Sequence, residues 1–425
     1  MDKPLPLHRH VIDLWRKKVP EQLIIQFTDK CNALCPQCGM RVTEKFRRST
    51  LSLDVVKRII DAAAQRGVRV VSFTGGEPLL FLEDLVMFIK YAGEAGIDYI
   101  RTGTNGFMFA NPRSPRFQSR VNKIVEALAG TPLRNFWISI DSVIPSIHEK
   151  MRGLPGVIQG IEKALPIFHE HGMHPSANLG INRNVMGDMT RNARVATPAK
   201  ENVDMQSFDR TFKTAFKKFY QFVIELGFTM VSTCYPMSVE DNKDIAGLKP
   251  VYSATSEDRI VQFNNREKAL LFKALLETVP EFRSKIRLFS PITSLYALYK
   301  QYTDNSTFPY PCRGGLDFFF IDAKDGNTYP CGYRGNENLG KYWSMDRNSL
   351  DRNAVCRKCD WECFRDPSEL FGPLISGLLR PQGAFKKMCR DSHYFRLWID
   401  DLKYYRACGF FNGRKPPDYS RMQGF

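Results

Sequence analysis

Between residues 21 and 235, short apolar runs alternate with longer stretches of helical period, and no other feature constrains the fold as strongly. The runs "EQLIIQF" (21–27), "VRVVSFTGG" (68–76), "IDYIRTGTNG" (97–106), "RNFWISID" (134–141), "HPSANLGIN" (174–182) and "FTMVSTCYP" (228–236) read as strands. Between them, "LDVVKRIIDAAAQRG" (53–67) and "GVIQGIEKALPIFHEHG" (156–172) repeat apolar residues at three-to-four spacing and stop at glycine, the pattern of amphipathic helices. About six βα units in succession predict an α/β fold with a parallel sheet, open or curled into a partial barrel. Its chemistry is expected at the carboxyl ends of the strands.

Two stretches interrupt the pattern. Residues 183–208 are polar and without a clear period, which predicts a functional or disordered loop. Residues 238–265 read as a polar connector to the helix "REKALLFKALLETVPEFRSK". The expected division is a helical lead-in (1–20), the barrel (21–237), connector and helices (238–307), a cysteine-rich unit (308–368) and a basic helical tail (369–425).

Composition enters through charge and cysteine. No apolar run approaches the ~18 residues of a membrane span, and the polar start "MDKPLPLHRHVIDLWRKK" lacks the core of a secretion signal, so a cytoplasmic location is expected. Eleven cysteines are many for a reducing compartment; three fall at 31–38 and five at 312–363, which reads as metal or iron–sulfur ligation rather than disulfides. The net charge of +16 admits an anionic partner or simply a basic surface.

The stretch "TDKCNALCPQCGM" spaces Cys31, Cys35 and Cys38 as C-x3-C-x2-C just after the first strand. Three thiolates are one short of a closed zinc site or a four-iron cluster. No second cysteine pair follows nearby, as a zinc finger would require. "FTGGEPLL" (73–80) ends the second strand, where paired glycines permit close backbone approach to a ligand and Glu77 offers an acceptor for an amine.

Together these two motifs resemble the radical S-adenosylmethionine (radical SAM) superfamily, over nearly the whole chain. The resemblance implies a partial (β/α)6 TIM-like barrel. Cys31, Cys35 and Cys38 would hold a 4Fe-4S cluster whose fourth iron is left for S-adenosylmethionine. Gly75, Gly76 and Glu77 would hold that cofactor's amino group, and Thr104, Asn105, Ser139, Asp141, Arg152 and Asn182 lie where cofactor contacts are common. The residue before the third cysteine is usually aromatic and near the adenine in this family; here it is Gln37. The implied chemistry is reductive cleavage of the sulfonium to a 5′-deoxyadenosyl radical, which takes hydrogen from a substrate, with reduced flavodoxin or ferredoxin as electron donor.

The later cysteines are Cys312, Cys331, Cys356, Cys359 and Cys363, with thirteen residues between Cys312 and Gly326 and four between Gly326 and Cys331. "LDFFFIDAKDGNTYPC" reads as a hairpin on an Asp-Gly turn. This resembles the auxiliary-cluster extensions called SPASM and twitch. A full SPASM set continues C-x2-C-x5-C-x3-C; this chain has C-x2-C-x3-C, favouring one auxiliary 4Fe-4S cluster. Cys312, Cys331, Cys356 and Cys359 are the preferred ligands and Cys363 the alternate. Cys389 and Cys408 are candidates for a second auxiliary cluster, and a zinc ribbon is the other reading of this unit.

His169, His171 and His174 read as a solvated helix end, and Cys234 as packing or, alternatively, a hydrogen donor. Residues 376–425 carry ten Lys/Arg against four Asp/Glu among aromatics. They form either a packed helix with a basic outer face or a peripheral contact with anionic lipid; nucleic acid is not expected, since no binding fold accompanies the charge. With only about thirty residues before Cys31, a winged peptide-recognition domain has no room, which favours a small-molecule or lipid-linked substrate over a peptide or sulfatase. The alternative of another class is a non-catalytic iron–sulfur or zinc scaffold for an anionic partner.

Overall fold

Strand β1, Glu21–Thr28, is buried at all eight residues, as a central strand covered on both faces must be. The computed structural model describes residues 21–38, 47–195, 201–236, 248, 251, 258–304, 310–346, 350 and 356–425. β1 is followed by β2 (Val68–Gly75), β3 (Tyr99–Thr104), β4 (Leu133–Ser139), β5 (Ser176–Gly180) and β6 (Met230–Cys234), all six parallel and adjacent in chain order. These are the six strands expected. A short β7 (Arg287–Leu288) extends the sheet beyond β6.

Helices return the chain between strands. In the Leu53–Gln65 helix, the Ser52 hydroxyl caps the Val55 amide, and Val56, Ile59, Ile60, Ala62 and Ala63 form the buried stripe. That stripe joins Leu23, Ile25, Phe27, Val71, Phe73 and Ile100 in one core. Each buried Val, Leu, Ile or Phe of this core contributes about 1.5–3 kcal/mol. Because strand side chains alternate, the intervening residues of β1 to β6 face the other way, into the interior of the curved sheet.

The stretch 183–208 is not one loop. Asp188–Arg191 forms a helical turn, and a 25-residue helix, Glu201–Glu225, begins within the polar sequence. Its fully buried aromatic stripe begins at Phe208, the last residue of the stretch read as aperiodic, and continues through Phe212, Phe216 and Phe219. The Asn265–Phe282 helix has a reciprocal capping box between Asn264 and Glu267. The lead-in (1–20) and most of the connector (238–257) lie outside the described residues.

The cysteine-rich unit shares the barrel's sheet. Its hairpin pairs β8 (Phe318–Ile321) with β9 (Thr328–Tyr329), and β8 also runs parallel to β1, matching Gln22–Ile25. Ile24 of β1 therefore packs in one cluster with Phe318, Phe320, Cys331, Tyr333, Trp361 and Phe364. The Glu362–Leu379 helix spans the opening between the sheet's two ends. Trp361, its N-cap, meets Phe320 of β8, and Glu362 accepts the Tyr235 amide just past β6.

The C-terminal segment is anchored. In the Ser392–Ala407 helix, buried Asp401 pairs with Arg283 and accepts the amides of Ile292 (3.0 Å) and Thr293 (2.8 Å). The preceding Pro381–Arg390 helix buries nothing and exposes Phe385 and Met388. No helix among the described residues is long and apolar enough to cross a membrane.

Candidate active site

The three-cysteine loop leaves the carboxyl end of β1, and a returning segment pins it there. Asp29 exchanges hydrogen bonds with the backbone of Ser49, the Thr28 and Thr50 hydroxyls meet at 2.8 Å, and Arg48 donates to the Cys31 carbonyl at 3.0 Å. A turn links the Cys38 amide to the Cys35 carbonyl at 3.1 Å. Cys35 is buried, and Cys31 and Cys38 are half-buried.

Gly75 and Gly76 bring β2 against this loop. The Gly76 amide donates to the Thr28 carbonyl and the Glu77 amide to the Lys30 carbonyl, both at 2.9 Å. A Cβ on Gly76 would lie 2.3 Å from the Lys30 carbonyl oxygen, and one on Gly75 2.1 Å from that of Thr28. The close approach these glycines permit is thus to the chain's own cysteine loop.

Glu77 is fully buried, and its carboxylate accepts from the Leu79 amide (3.0 Å), the Thr104 hydroxyl (2.8 Å) and the Asn105 amide (2.6 Å). Three donors favour the ionised form, but burial outweighs them and raises the pKa to about 7. Asn105 in turn extends its side-chain amide to Asn32 Oδ1 (2.9 Å) and toward Cys31 Sγ (3.8 Å).

A second knot lies on the other side of the loop. Asp141 Oδ2 accepts Gln37 Nε2 at 2.7 Å and Arg152 at 2.7 and 2.8 Å. Burial raises the Asp141 pKa against the opposing pull of Arg152. Asn182, also fully buried, donates to the Asp141 and Gly180 carbonyls. His148 accepts the Asp141 amide at 3.1 Å, and burial lowers its pKa well below the usual range. Sequence reading did not single out His148; a histidine in "SIHEKMR", four residues before Arg152, was the available signal. Gln37, Glu77, Thr104, Asn105, Asp141, Arg152 and Asn182 are therefore brought together around the loop, chiefly through bonds to one another. Ser139 ends β4 beside Asn178 of β5.

The second cysteine set converges without Cys363. Cys312, Cys331, Cys356 and Cys359 line one small pocket with Arg334 and Arg365. The Cys312 amide donates to the Cys356 carbonyl at 2.9 Å, and the amides of Gly314 and Tyr333 each approach a thiol, Cys312 and Cys331, at 3.4 Å. Burial, reinforced by the neighbouring thiols, pushes Cys331 up to about 12 and raises Cys312 and Cys359. Buried thiolates this close repel one another unless a cationic centre sits among them, so the donor set fits an iron–sulfur cluster. Among the described residues, no three His, Cys, Asp or Glu are gathered to hold a single metal ion. Cys389 is exposed, and Cys408 is buried with Met230, Tyr404 and Phe411; neither lines that pocket.

Cys363 instead faces the barrel interior. There a cavity of about 420 Å³ is bounded by the inward residues of β1 to β6 and closed by the Glu362–Leu379 helix. The Cys363 thiol donates to Glu362 Oε1 at 3.5 Å, and Cys234 hydrogen-bonds Asn178 of the adjacent strand on the wall of the same cavity. Of the histidines, His171 is exposed, while His169 and His174 stack at 4.8 Å and the buried His174 amide donates to the Gly413 carbonyl. The expectation of a solvated helix end holds for His171 alone, because the C-terminal loop covers His174.

Residues 25–195 match the family model described as the Radical SAM superfamily. They are a radical SAM domain. Among curated relatives, GTP 3′,8-cyclase of Desulforamulus reducens is 31% identical over 189 residues, 43% of this chain and 54% of that protein. AdoMet-dependent heme synthase of Methanosarcina barkeri is 23% identical over 177 residues, 42% of this chain and 47% of the other. The chain spans about half the length of the curated relatives it matches. Among solved structures, Streptococcus suis SuiB bound to S-adenosylmethionine aligns over 76% of this chain and 64% of that one, at 16% identity and a TM-score of 0.48. The family works with a 4Fe-4S cluster and S-adenosylmethionine, and the three thiols of the cysteine loop fit that cluster as donors.

Proposed function

We propose that the protein is a radical SAM enzyme that abstracts hydrogen from a small-molecule or lipid-linked substrate held inside its barrel. The observation that carries this reading is the juxtaposition of the three-cysteine loop with an interior cavity on the same strands. Cys31, Cys35 and Cys38 would hold the catalytic cluster, and Cys312, Cys331, Cys356 and Cys359 an auxiliary one; Cys363 is not a ligand in this reading. When bound, the cluster on Cys31, Cys35 and Cys38 would supply the electron that cleaves the sulfonium of S-adenosylmethionine to methionine and a 5′-deoxyadenosyl radical.

The chain's own contribution is positioning and exclusion of water. Gly75 and Gly76 fix the loop against β2, while Asn105 and Gln37 hold its two sides. The Glu362–Leu379 helix closes the seam of the sheet, so a reactive species formed at the strand ends meets substrate before solvent. Names of relatives that act on a nucleotide and on a tetrapyrrole support a small-molecule substrate. The electron donor in this reading is a reduced flavodoxin or ferredoxin in the cytoplasm. The exposed Phe385 and Met388, beside Lys386, Lys387 and Arg390, supply a peripheral contact for a lipid-linked substrate.

The test is anaerobic reconstitution followed by reduction with S-adenosylmethionine. The expected result is about eight irons per chain and release of 5′-deoxyadenosine, lost in Cys31→Ala. Tight zinc binding without cleavage would establish the scaffold reading instead.

A further inference from the structure

The interior cavity carries polar groups that neither cysteine set uses. Arg101 lies on β3 in register with Ser72 of β2, which pairs in turn with Ile24 of β1. Its Nε donates to the Ser72 hydroxyl at 2.7 Å, a terminal nitrogen stands 4.0 Å from Cys363 Sγ, and its guanidinium lies 5.8 Å from the centre of the Trp137 ring. Among the described residues no carboxylate forms an ion pair with it. Gln22 of β1 lines the same cavity, is 7% exposed, and has an Nε2 with no hydrogen-bond partner in the protein. A buried donor left unpartnered is costly, so Gln22 Nε2 marks a place where an acceptor belongs, and half-buried Arg101 adds a cation that no carboxylate pairs.

The acids of the same wall are already engaged. Glu362 accepts the Tyr235 amide (3.3 Å) and the Cys363 thiol (3.5 Å). Asp366 accepts the hydroxyls of Ser294 (2.5 Å) and Tyr235 (3.1 Å). The cavity therefore offers a guest the Arg101 cation and the Gln22 amide on the strand wall, opposite two carboxyl groups that already hold donors of their own, among aromatic walls. Its volume, about 420 Å³, is that of a small-metabolite site.

Resting on the function proposed above, we infer that this cavity is the substrate chamber and that Arg101 anchors an anionic oxygen group of the substrate, a carboxylate or a phosphate. Gln22 is the second donor to that group. Arg101 stands three residues before Thr104, roughly 10 Å at the ~3.3 Å rise of a strand. An anchored substrate thus has its anionic end deep in the barrel and its reacting carbon directed toward the cysteine loop. Thr74, which also lines the chamber, immediately precedes the Gly75–Gly76 contact with that loop.

Isothermal titration of the reconstituted holoprotein tests this with two matched pairs of probes, phenylacetate against 2-phenylethanol and phenyl phosphate against phenol. In at least one pair the anion is expected to bind about tenfold or more tightly than its neutral partner, the scale of one charge-assisted hydrogen bond. The pair that shows the gap tells carboxylate from phosphate. Arg101→Gln should erase the gap and Arg101→Lys keep part of it. Gln22→Met, which preserves bulk and removes the donor, should narrow it. If Arg101→Gln does not fold by circular dichroism, the other two variants decide. Equal affinities within both pairs, no binding by either anion, or a gap unaffected by these substitutions overturns the inference. Formation of 5′-deoxyadenosine is read on the same samples: its absence with the gap intact counts against the proposed reaction and not against the anchor.

Discussion

Gln37 of the cysteine loop donates a 2.7 Å hydrogen bond to Asp141, across 104 residues of sequence and beside Arg152. The loop is thereby tied to the far side of the barrel mouth. Gln37→Leu removes a donor to a buried carboxylate and should cost about 1.5 kcal/mol locally. Hydrogen exchange at the Cys38 amide is the measurement, with about tenfold faster exchange expected. An unchanged rate would mean that the tie holds nothing in place.

Glu77 should make stability depend on pH. Its pKa in the folded protein is about 7 against an ordinary 4.5, so between these values the folded state binds a proton that the unfolded state has released. Stability therefore falls as pH rises through this window, by up to ~3 kcal/mol, and Glu77 adds no further slope above about pH 7. Urea midpoints across the window should show the decline in the wild type and a flatter line in Glu77→Gln. That variant should also be less stable at the acid end, since its amide NH₂ meets the Asn105 amide head-on.

The two neighbouring cysteines Cys359 and Cys363 should behave oppositely. Cys359→Ala is expected to lower the iron content of the reconstituted protein by about four per chain, and Cys363→Ala to leave it unchanged. Iron analysis with the 400 nm absorbance region of both variants decides it. Equal iron loss in the two would return Cys363 to the ligand set.

Gly76→Ala should disturb the loop more than its size implies. The added methyl would press on the Lys30 carbonyl, a backbone atom that cannot rotate away. Overpacking of this kind costs about 1–3 kcal/mol. Thermal denaturation should show the loss, while Gly67→Ala, with open space around its Cβ but a φ of +79°, should cost only about 1 kcal/mol from backbone strain.

The six strands and the cysteine hairpin were legible because period-two and period-3.6 patterns are local. The Glu201–Glu225 helix was not, because its fully buried stripe begins only at Phe208, after about two mostly polar turns. The site residues could be named from their motifs, but not their partners. Nothing in "CPQC" tells that Gln37 reaches Asp141, nor in "GGE" that the glycines admit the loop's own carbonyls. Cys363 shows the limit most clearly. Four residues after Cys359, it lies inside a helix whose docking across the seam turns it toward the barrel. Arg101 did leave a trace, as a charge within the strand "YIRTGT", where a cation needs a reason.

The pairing of Gln22–Ile25 with Phe318–Ile321 has a consequence for how such a chain can be rebuilt. The cysteine-rich unit cannot be cut out and exchanged as a cassette, because removing it strips β1 of one of its two hydrogen-bonded neighbours and bares an edge next to the three-cysteine loop. Variation in this protein is confined to what that shared seam tolerates, so its two cysteine sets can change in residue but not in relative position.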